Sequence, residues 1–231
     1  MKKESACKHA FNVSGKKVTV YPSASPDKPV IYLNSFGGDG DNIYQLLQKD
    51  KCPDFTLVVI SQLVWDRDMA PWDIPPISKL DTPCTGGADE YLHILTDEII
   101  PEAEKRIQGK VLWRGIAGYS LAGLFAVYSI YHTDIFSRIA SMSGSLWFPD
   151  FKEYVFSHDM KGIPDCFYFS LGDKESKTRN TFLKSVRDNT ESIAEFYRQK
   201  GIDTEFQLNP GNHYKNAAQR SASGIEWILN R

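Results

Sequence analysis

No apolar run in the 231-residue chain approaches the ~20 residues that a membrane-spanning helix needs, so no such span is expected. Charge of one sign is also missing. The 27 basic and 29 acidic residues nearly cancel to −2, which leaves no electrostatic footprint for nucleic acid or an anionic membrane. Cysteine is sparse: Cys7, Cys52, Cys84 and Cys166 show no CxxC spacing, so no zinc or dithiol redox motif is expected. A chain this long does not need disulfide staples, and the four thiols read as the reduced cysteines of a cytoplasmic protein. Lys2 and Lys3 are not followed by an apolar core, so no secretory signal is expected. Internal repeats and low-complexity tracts are absent as well. What remains is 42% hydrophobic and 24% charged, the composition of a folded chain. The length suits one α/β domain over 1–231.

The apolar pattern alternates between two periods. Phe11–Val13 and Val18–Tyr21 flank a Ser14-Gly15 turn signal and predict a hairpin. Continuous apolar runs at Val30–Leu33, Thr56–Ile60, Val111–Ala117, Ile139–Met142, Cys166–Ser170 and Thr204–Leu208 predict buried parallel strands. Helical spacing falls between them, at Ile43–Gln48, Glu90–Gln108, Leu121–Tyr131, Thr181–Lys200 and Asn216–Leu229. Pro101 interrupts the second helix and Gly109 is positioned to stop it. Such alternation predicts a mostly parallel central sheet with helices on both faces, a three-layer sandwich. Two segments, near 62–88 and 143–164, break the alternation. Both follow strands and are expected as irregular insertions at the strands' C-terminal edge, where open α/β sheets bind ligands.

The most informative residues are Gly118-Tyr119-Ser120-Leu121-Ala122-Gly123. They lie between a strand run and a helix run, the setting of an α/β-hydrolase nucleophile elbow with Ser120 as nucleophile. Small neighbours are needed because the two backbones nearly touch at the turn. Ala122 stands where the usual pattern has a second glycine. A serine needs a base, and the base needs a carboxylate to orient it. The chain supplies them in hydrolase order. Asp173 and Glu175 follow the fifth parallel strand, and His213 follows the sixth. Glu175 has the longer reach and is the expected acid, with Asp173 as alternative. His9 precedes the predicted sheet, His93 and His132 fall in predicted helices, and His158 falls in an irregular segment, so none competes with His213.

The oxyanion hole is expected to use the amide of Leu121 and one from the Gly-rich loop Asn34–Asn42. Phe36 is the candidate there, with Ser35 and Gly37 as its neighbours. That loop lacks the Gly-Lys-Ser/Thr ending of a phosphate loop and the distal glutamate of a calcium loop. Tyr119, Trp65 and Trp147 are candidate substrate-binding residues, each equally readable as part of a packed wall.

On the loop Phe36–Asn42, the elbow Gly118–Gly123, the segment Ser170–Glu175 and Gly211-Asn212-His213, the chain resembles the Putative esterase (esterase D-like) branch of the α/β-hydrolases over about Val30–Leu229. The resemblance implies a serine esterase with a Ser-acid-His triad, no cofactor and no metal. It supports Glu175, because the family's acid commonly sits three residues after a strand-ending glycine. Ala122 and the Asn34-Ser35 start of the oxyanion loop depart from the family pattern. The expected activity is therefore hydrolysis of a small-molecule carboxylic ester through an acyl-enzyme. The alternatives are a thioesterase or acyltransferase with the same triad, or a non-catalytic binding protein on a hydrolase fold.

Overall fold

Alternating side chains of each central strand feed two separate cores. Val30 and Tyr32 of one strand join Val58, Ile60, Ile116 and Phe167 on one face of the sheet, while Ile31 and Leu33 join Leu57, Val59, Ala117 and Tyr168 on the other. This is the signature of a sheet covered on both sides, with each fully buried aliphatic side chain stabilising the fold by about 1.5–3 kcal/mol. The computed structural model describes residues 8–38, 40–49, 52–79 and 81–231. Cys7 and Asp39, both part of the sequence reading, lie outside the described residues.

In chain order the elements are β1 (His9–Val13), β2 (Lys16–Tyr21), β3 (Val30–Asn34), α1 (Asp41–Lys49), β4 (Thr56–Ser61), α2 (Trp65–Asp68), β5 (Asp73–Ile74) and β6 (Cys84–Thr85). Then come α3 (Ala88–His93), α4 (Ile100–Glu104), β7 (Arg114–Tyr119), α5 (Leu121–Ser129), β8 (Arg138–Met142) and α6 (Phe151–Ser157). The chain ends with β9 (Cys166–Gly172), α7 (Thr181–Lys184), α8 (Val186–Gln199), β10 (Asp203–Asn209) and α9 (Ala217–Leu229). The main sheet has the order β1-β2-β4-β3-β7-β8-β9-β10. The β1–β2 and β2–β4 pairs are antiparallel, and every pair from β4 to β10 is parallel. Helices α1 and α9 cover one face, while α3, α4, α5, α6 and α8 cover the other. This is the expected α/β-hydrolase sandwich.

Several boundaries differ from expectation for identifiable reasons. Strand β7 starts at Arg114 rather than Val111 and runs on through Gly118 and Tyr119, because these pair with Asn34 of β3 and with Ser141 and Met142 of β8. The turn is thus compressed into Ser120 alone. The predicted helix 90–108 passes through a π-helical stretch, Ile94–Ile99, where the Ile100 amide reaches the Leu95 carbonyl. Pro101, next in line, has no N–H to give, so the wider turn accommodates it. The helix ends at Glu104, whose carboxylate takes the Arg114 guanidinium and the Tyr32 hydroxyl. The predicted helix 181–200 is broken at Ser185 into α7 and α8. His9 opens β1 rather than preceding the sheet, and His132 lies just past α5.

The two insertions are less irregular than expected. The segment 62–88 holds α2, β5 and β6, and the segment 143–164 holds α6. They are pinned to each other by Trp72. Its indole N–H donates to the Pro149 carbonyl at 3.2 Å, and its ring packs against Phe148, Phe151 and Tyr154. Among the described residues no helix is long and apolar enough to cross a membrane.

Candidate active site

The parallel strands β3, β7, β8, β9 and β10 all reach one edge of the sheet, ending at Asn34, Tyr119, Met142, Gly172 and Asn209. The site is assembled from the residues just past these ends. Ser120 has φ 61° and ψ −127°, a conformation sparsely populated by non-glycine residues. It is held by bonds from its own amide to the Met142 carbonyl and from the Ser145 and Gly123 amides to its carbonyl. Glycines make the bend possible. A Cβ at Gly118 would collide with the Ala122 carbonyl, and one at Gly123 would lie 2.9 Å from Gly144 Cα. The Ala122 methyl occupies the space that Gly118 leaves open, 2.7 Å from where a Cβ would stand there. This explains why alanine is tolerated at 122.

The Ser120 Oγ lies 3.1 Å from His213 Nε2, and His213 Nδ1 lies 2.8 Å from Glu175 Oε2. An ionised carboxylate only accepts, so Nδ1–H donates to Glu175, leaving Nε2 to accept from the serine hydroxyl. The Glu175 side chain is 5% exposed. Its other oxygen, Oε1, accepts from the Gly172 amide at 2.5 Å and the Ser143 hydroxyl at 2.8 Å, with Arg220 Nη1 at 3.0 Å. Burial alone would raise this carboxyl's pKa. The bonds from His213, Gly172 and Ser143 outweigh that cost and leave it below its ordinary value.

Asp173, the alternative acid, does something else. Its Oδ1 accepts from the Gly211 amide at 2.7 Å, which holds the β9 and β10 loops together. That backbone bond, foremost, keeps its carboxyl below the ordinary range.

The oxyanion candidates flank the serine. Leu121 opens α5, so its amide points out of the helix's N-terminal end. The Ser35 amide is already bonded to the Ile60 carbonyl at 2.8 Å, which extends the sheet and removes it from the candidates. Phe36 is the next residue. The residue is 77% exposed, and its ring meets Trp65 edge-on at 5.1 Å.

Around these groups lies a cleft of about 1260 Å³, lined in part by Phe36, Trp65, Ile74, Trp147, Leu183 and Tyr214. Trp65, Trp147 and Tyr119 all border it. Tyr119 is a special case, because its hydroxyl donates to the His213 backbone carbonyl at 2.5 Å and is occupied in holding that loop. Cys84 also borders the cleft, but burial, aided by Asp66 and Asp81, pushes its thiol up to about 11, too high for a nucleophile at neutral pH. None of His9, His93, His132 or His158 lines the cleft.

Sequence reasoning missed Ser143, Ser145 and Arg220. Ser145 Oγ lies 3.4 Å from Ser120 Oγ. Arg220 left a signal: a lone cation at i−4 and i−8 from Gly224 and Ile228, on the buried face of α9. A charge in that position is kept only where something pairs it.

The comparisons with known proteins agree with this architecture. The family model described as Putative esterase matches residues 17–218. The uncharacterized protein YbbA of Bacillus subtilis (strain 168) is 24% identical over 238 residues, covering 94% of this chain and 93% of that one. Among solved structures, an IroE-like serine hydrolase from Shewanella oneidensis superposes with a TM-score of 0.80 at 18% identity, covering 97% of this chain and 80% of that one. The siderophore hydrolase EstA from Aspergillus nidulans gives 0.72 at 17% identity, covering 96% and 94%. The family match runs from β2 through the elbow and the histidine loop into the start of α9, and the chain belongs to the Putative esterase family of carboxylic-ester hydrolases.

Proposed function

We propose that Ser120, His213 and Glu175 form a catalytic triad that hydrolyses a carboxylic ester through an acyl-enzyme. The single observation carrying this reading is the chain of contacts from Ser120 Oγ to His213 Nε2 at 3.1 Å and from His213 Nδ1 to Glu175 Oε2 at 2.8 Å. Ser120 Oγ attacks the ester carbonyl as its proton passes to Nε2. The amides of Leu121 and Phe36 stabilise the tetrahedral oxyanion. Collapse breaks the ester C–O bond, and the imidazolium returns the proton to the departing alcohol. Water, deprotonated by His213, then attacks the acyl-serine and regenerates the enzyme. Glu175 holds the tautomer that leaves Nε2 free and stabilises the imidazolium. A cytoplasmic setting, in which the thiols stay reduced, belongs to the same reading.

The cleft carries the substrate reading. Among the described residues its lining includes Asp66 and Asp81 but no lysine or arginine. Asp41 also lines it and is paired with Lys8 at 2.8 Å. Together with the aromatic walls, this favours an uncharged ester with an apolar or aryl acyl group. A second reading, a bulky ester of the kind implied by the name siderophore hydrolase, is favoured by size, since about 1260 Å³ exceeds the ~300–1,000 Å³ of ordinary small-molecule pockets.

Steady-state kinetics on an activated p-nitrophenyl ester test the triad. Ser120→Ala and His213→Ala are each expected to lower kcat by about 10⁴-fold or more. Turnover within tenfold of wild type in either variant would reject the assignment. Product analysis with added alcohols separates hydrolysis from acyl transfer. An aryl and lactone series separates the two substrate readings.

A further inference from the structure

We infer that Arg220 is a positioning residue for the proposed hydrolysis, clamping together the four strand ends that carry the reacting groups and sharing the Glu175 carboxylate with His213. The inference rests on the Ser120–His213–Glu175 reading.

Arg220 sits in the first turns of α9, and its side chain is only 3% exposed. Its Nη1 lies 3.0 Å from Glu175 Oε1, 3.1 Å from Ser143 Oγ and 3.3 Å from the Tyr119 hydroxyl. Its Nη2 donates to the Pro210 carbonyl at 3.3 Å. These four acceptors follow or end four different strands. Tyr119 ends β7 beside the nucleophile, Ser143 follows β8, Glu175 follows β9, and Pro210 begins the loop from β10 to His213. Two acceptors pass the restraint onward. The Ser143 hydroxyl donates to Glu175 Oε1, and the Tyr119 hydroxyl donates to the His213 carbonyl. Carboxylate oxygen Oε1 therefore faces three donors, and Oε2 is left to the imidazole.

The room for this pair is built into the backbone. A Cβ at Gly172 would lie 2.9 Å from Arg220 Nη2 and 3.0 Å from Glu175 Oε1. The two terminal nitrogens of the planar guanidinium reach different loops, Nη1 the Glu175, Ser143 and Tyr119 group and Nη2 the Pro210 carbonyl, a spread that the single nitrogen of an ammonium lacks.

The charge has its own consequence. The carboxylate stabilises the imidazolium that forms during the reaction, and a cation on its far oxygen weakens that stabilisation. Removing the cation should leave the whole carboxylate charge to the imidazolium and so shift the acid limb of the rate profile. Tyr119 from β7 faces both Arg220 and Glu175, Tyr168 from β9 and Asp173 from the loop after it face Arg220, Lys174 and Lys177 face Asp173, Lys215 packs at Gly211, and Ser143 after β8 contributes a neutral hydroxyl. Among the described residues Arg220 is the only lysine or arginine within ion-pair distance of Glu175.

The experiment compares wild type, Arg220→Lys and Arg220→Gln on a p-nitrophenyl ester across pH. Rates are expressed per active site, counted by fluorophosphonate labelling of Ser120 taken to completion. Arg220→Gln is expected to lower kcat per site by roughly 10- to 100-fold. It should also move the acid limb of the kcat/KM profile upward by roughly half to one pH unit. Arg220→Lys is expected to restore the limb and leave most of the kcat loss, which separates the charge from the fork. Wild-type kcat per site and a wild-type limb in both variants would overturn the inference, because a merely structural arginine alters only the number of folded sites. If Arg220→Gln yields no labelled enzyme, Arg220→Lys decides alone, and a kcat per site within threefold of wild type overturns the inference. Failure of the triad reading would look different, as wild-type enzyme that Ser120→Ala does not inactivate.

Discussion

At the scale of single residues, the site depends on which of two neighbouring carboxylates meets the imidazole. Glu175 reaches His213 Nδ1 because the chain turns back at Gly172, whereas Asp173 turns toward the Gly211 amide. Glu175→Gln is accordingly expected to lower kcat by about 10²- to 10⁴-fold. Asp173→Asn keeps an acceptor oxygen for Gly211 and should stay within about threefold of wild type. Steady-state assays of the pair check this, and equal mild losses would remove both from the role. Stability should depend on the same residue. The Glu175 carboxyl is held below its ordinary value, so its contribution is present above the unfolded pKa and lost as pH falls through the folded one. The melting-temperature gap between wild type and Glu175→Gln should hold its full width above about pH 5 and shrink below about pH 4. Ser120, Glu175 and His213, which the structure brings within hydrogen-bond distance, could be picked out in the chain because each comes within a few residues of the end of a strand run. The Ser35 amide was not excluded in advance, since its bond to Ile60 depends on β4 pairing beside β3.

At the scale of elements, the cleft wall depends on a four-residue helix. Asn180 caps α7 by accepting from the Phe182 and Leu183 amides at 3.0 and 3.2 Å. Its amide nitrogen donates to the Ile77 carbonyl at 2.8 Å, joining the two segments that carry Leu183 and Ile77 into the cleft. Asn180→Ala is expected to cost about 1 kcal/mol of stability from the lost cap. Because Asn180 bonds to Ile77, Thr178, Phe182 and Leu183 and to none of Ser120, His213 or Glu175, KM should rise severalfold with kcat nearly unchanged. Denaturant titration with initial-rate kinetics checks both, and an unchanged KM would contradict the assignment of this wall to substrate. Helix periodicity revealed the stretch 181–200 but not its break, since Asn180 is an ordinary turn residue until its partner 103 positions away is known. In the same way Pro101 announced an interruption, but not that a π-helical turn would absorb it.

At the scale of the whole molecule, a reversal of strand order at β3 opens the crevice. From β3 the chain next adds β4 on one side and then β7 on the other, so the loops after β3 and β7 face each other across the switch point. The two insertions close over that opening and build walls with Asp66 and Asp81 but, among the described residues, no lysine or arginine. Between acyl groups of equal size, a neutral p-nitrophenyl ester should therefore exceed an anionic hemisuccinate in kcat/KM by about tenfold at low salt. Added salt should narrow that gap, and a preference for the anion would contradict the reading of the cleft. The alternation of strand and helix made the sandwich legible. The Arg220 clamp was not, because its four acceptors are brought together only by the finished sheet edge.

Every role proposed for His213, Glu175 and Arg220 depends on Ser120 attacking the carbonyl. The direct measurement is mass spectrometry of the tryptic digest after reaction with a fluorophosphonate. One adduct is expected on the peptide Gly115–Arg138, located at Ser120 rather than Ser129 or Ser137, and none in Ser120→Ala. An adduct elsewhere, or labelling that persists in Ser120→Ala, would contradict it.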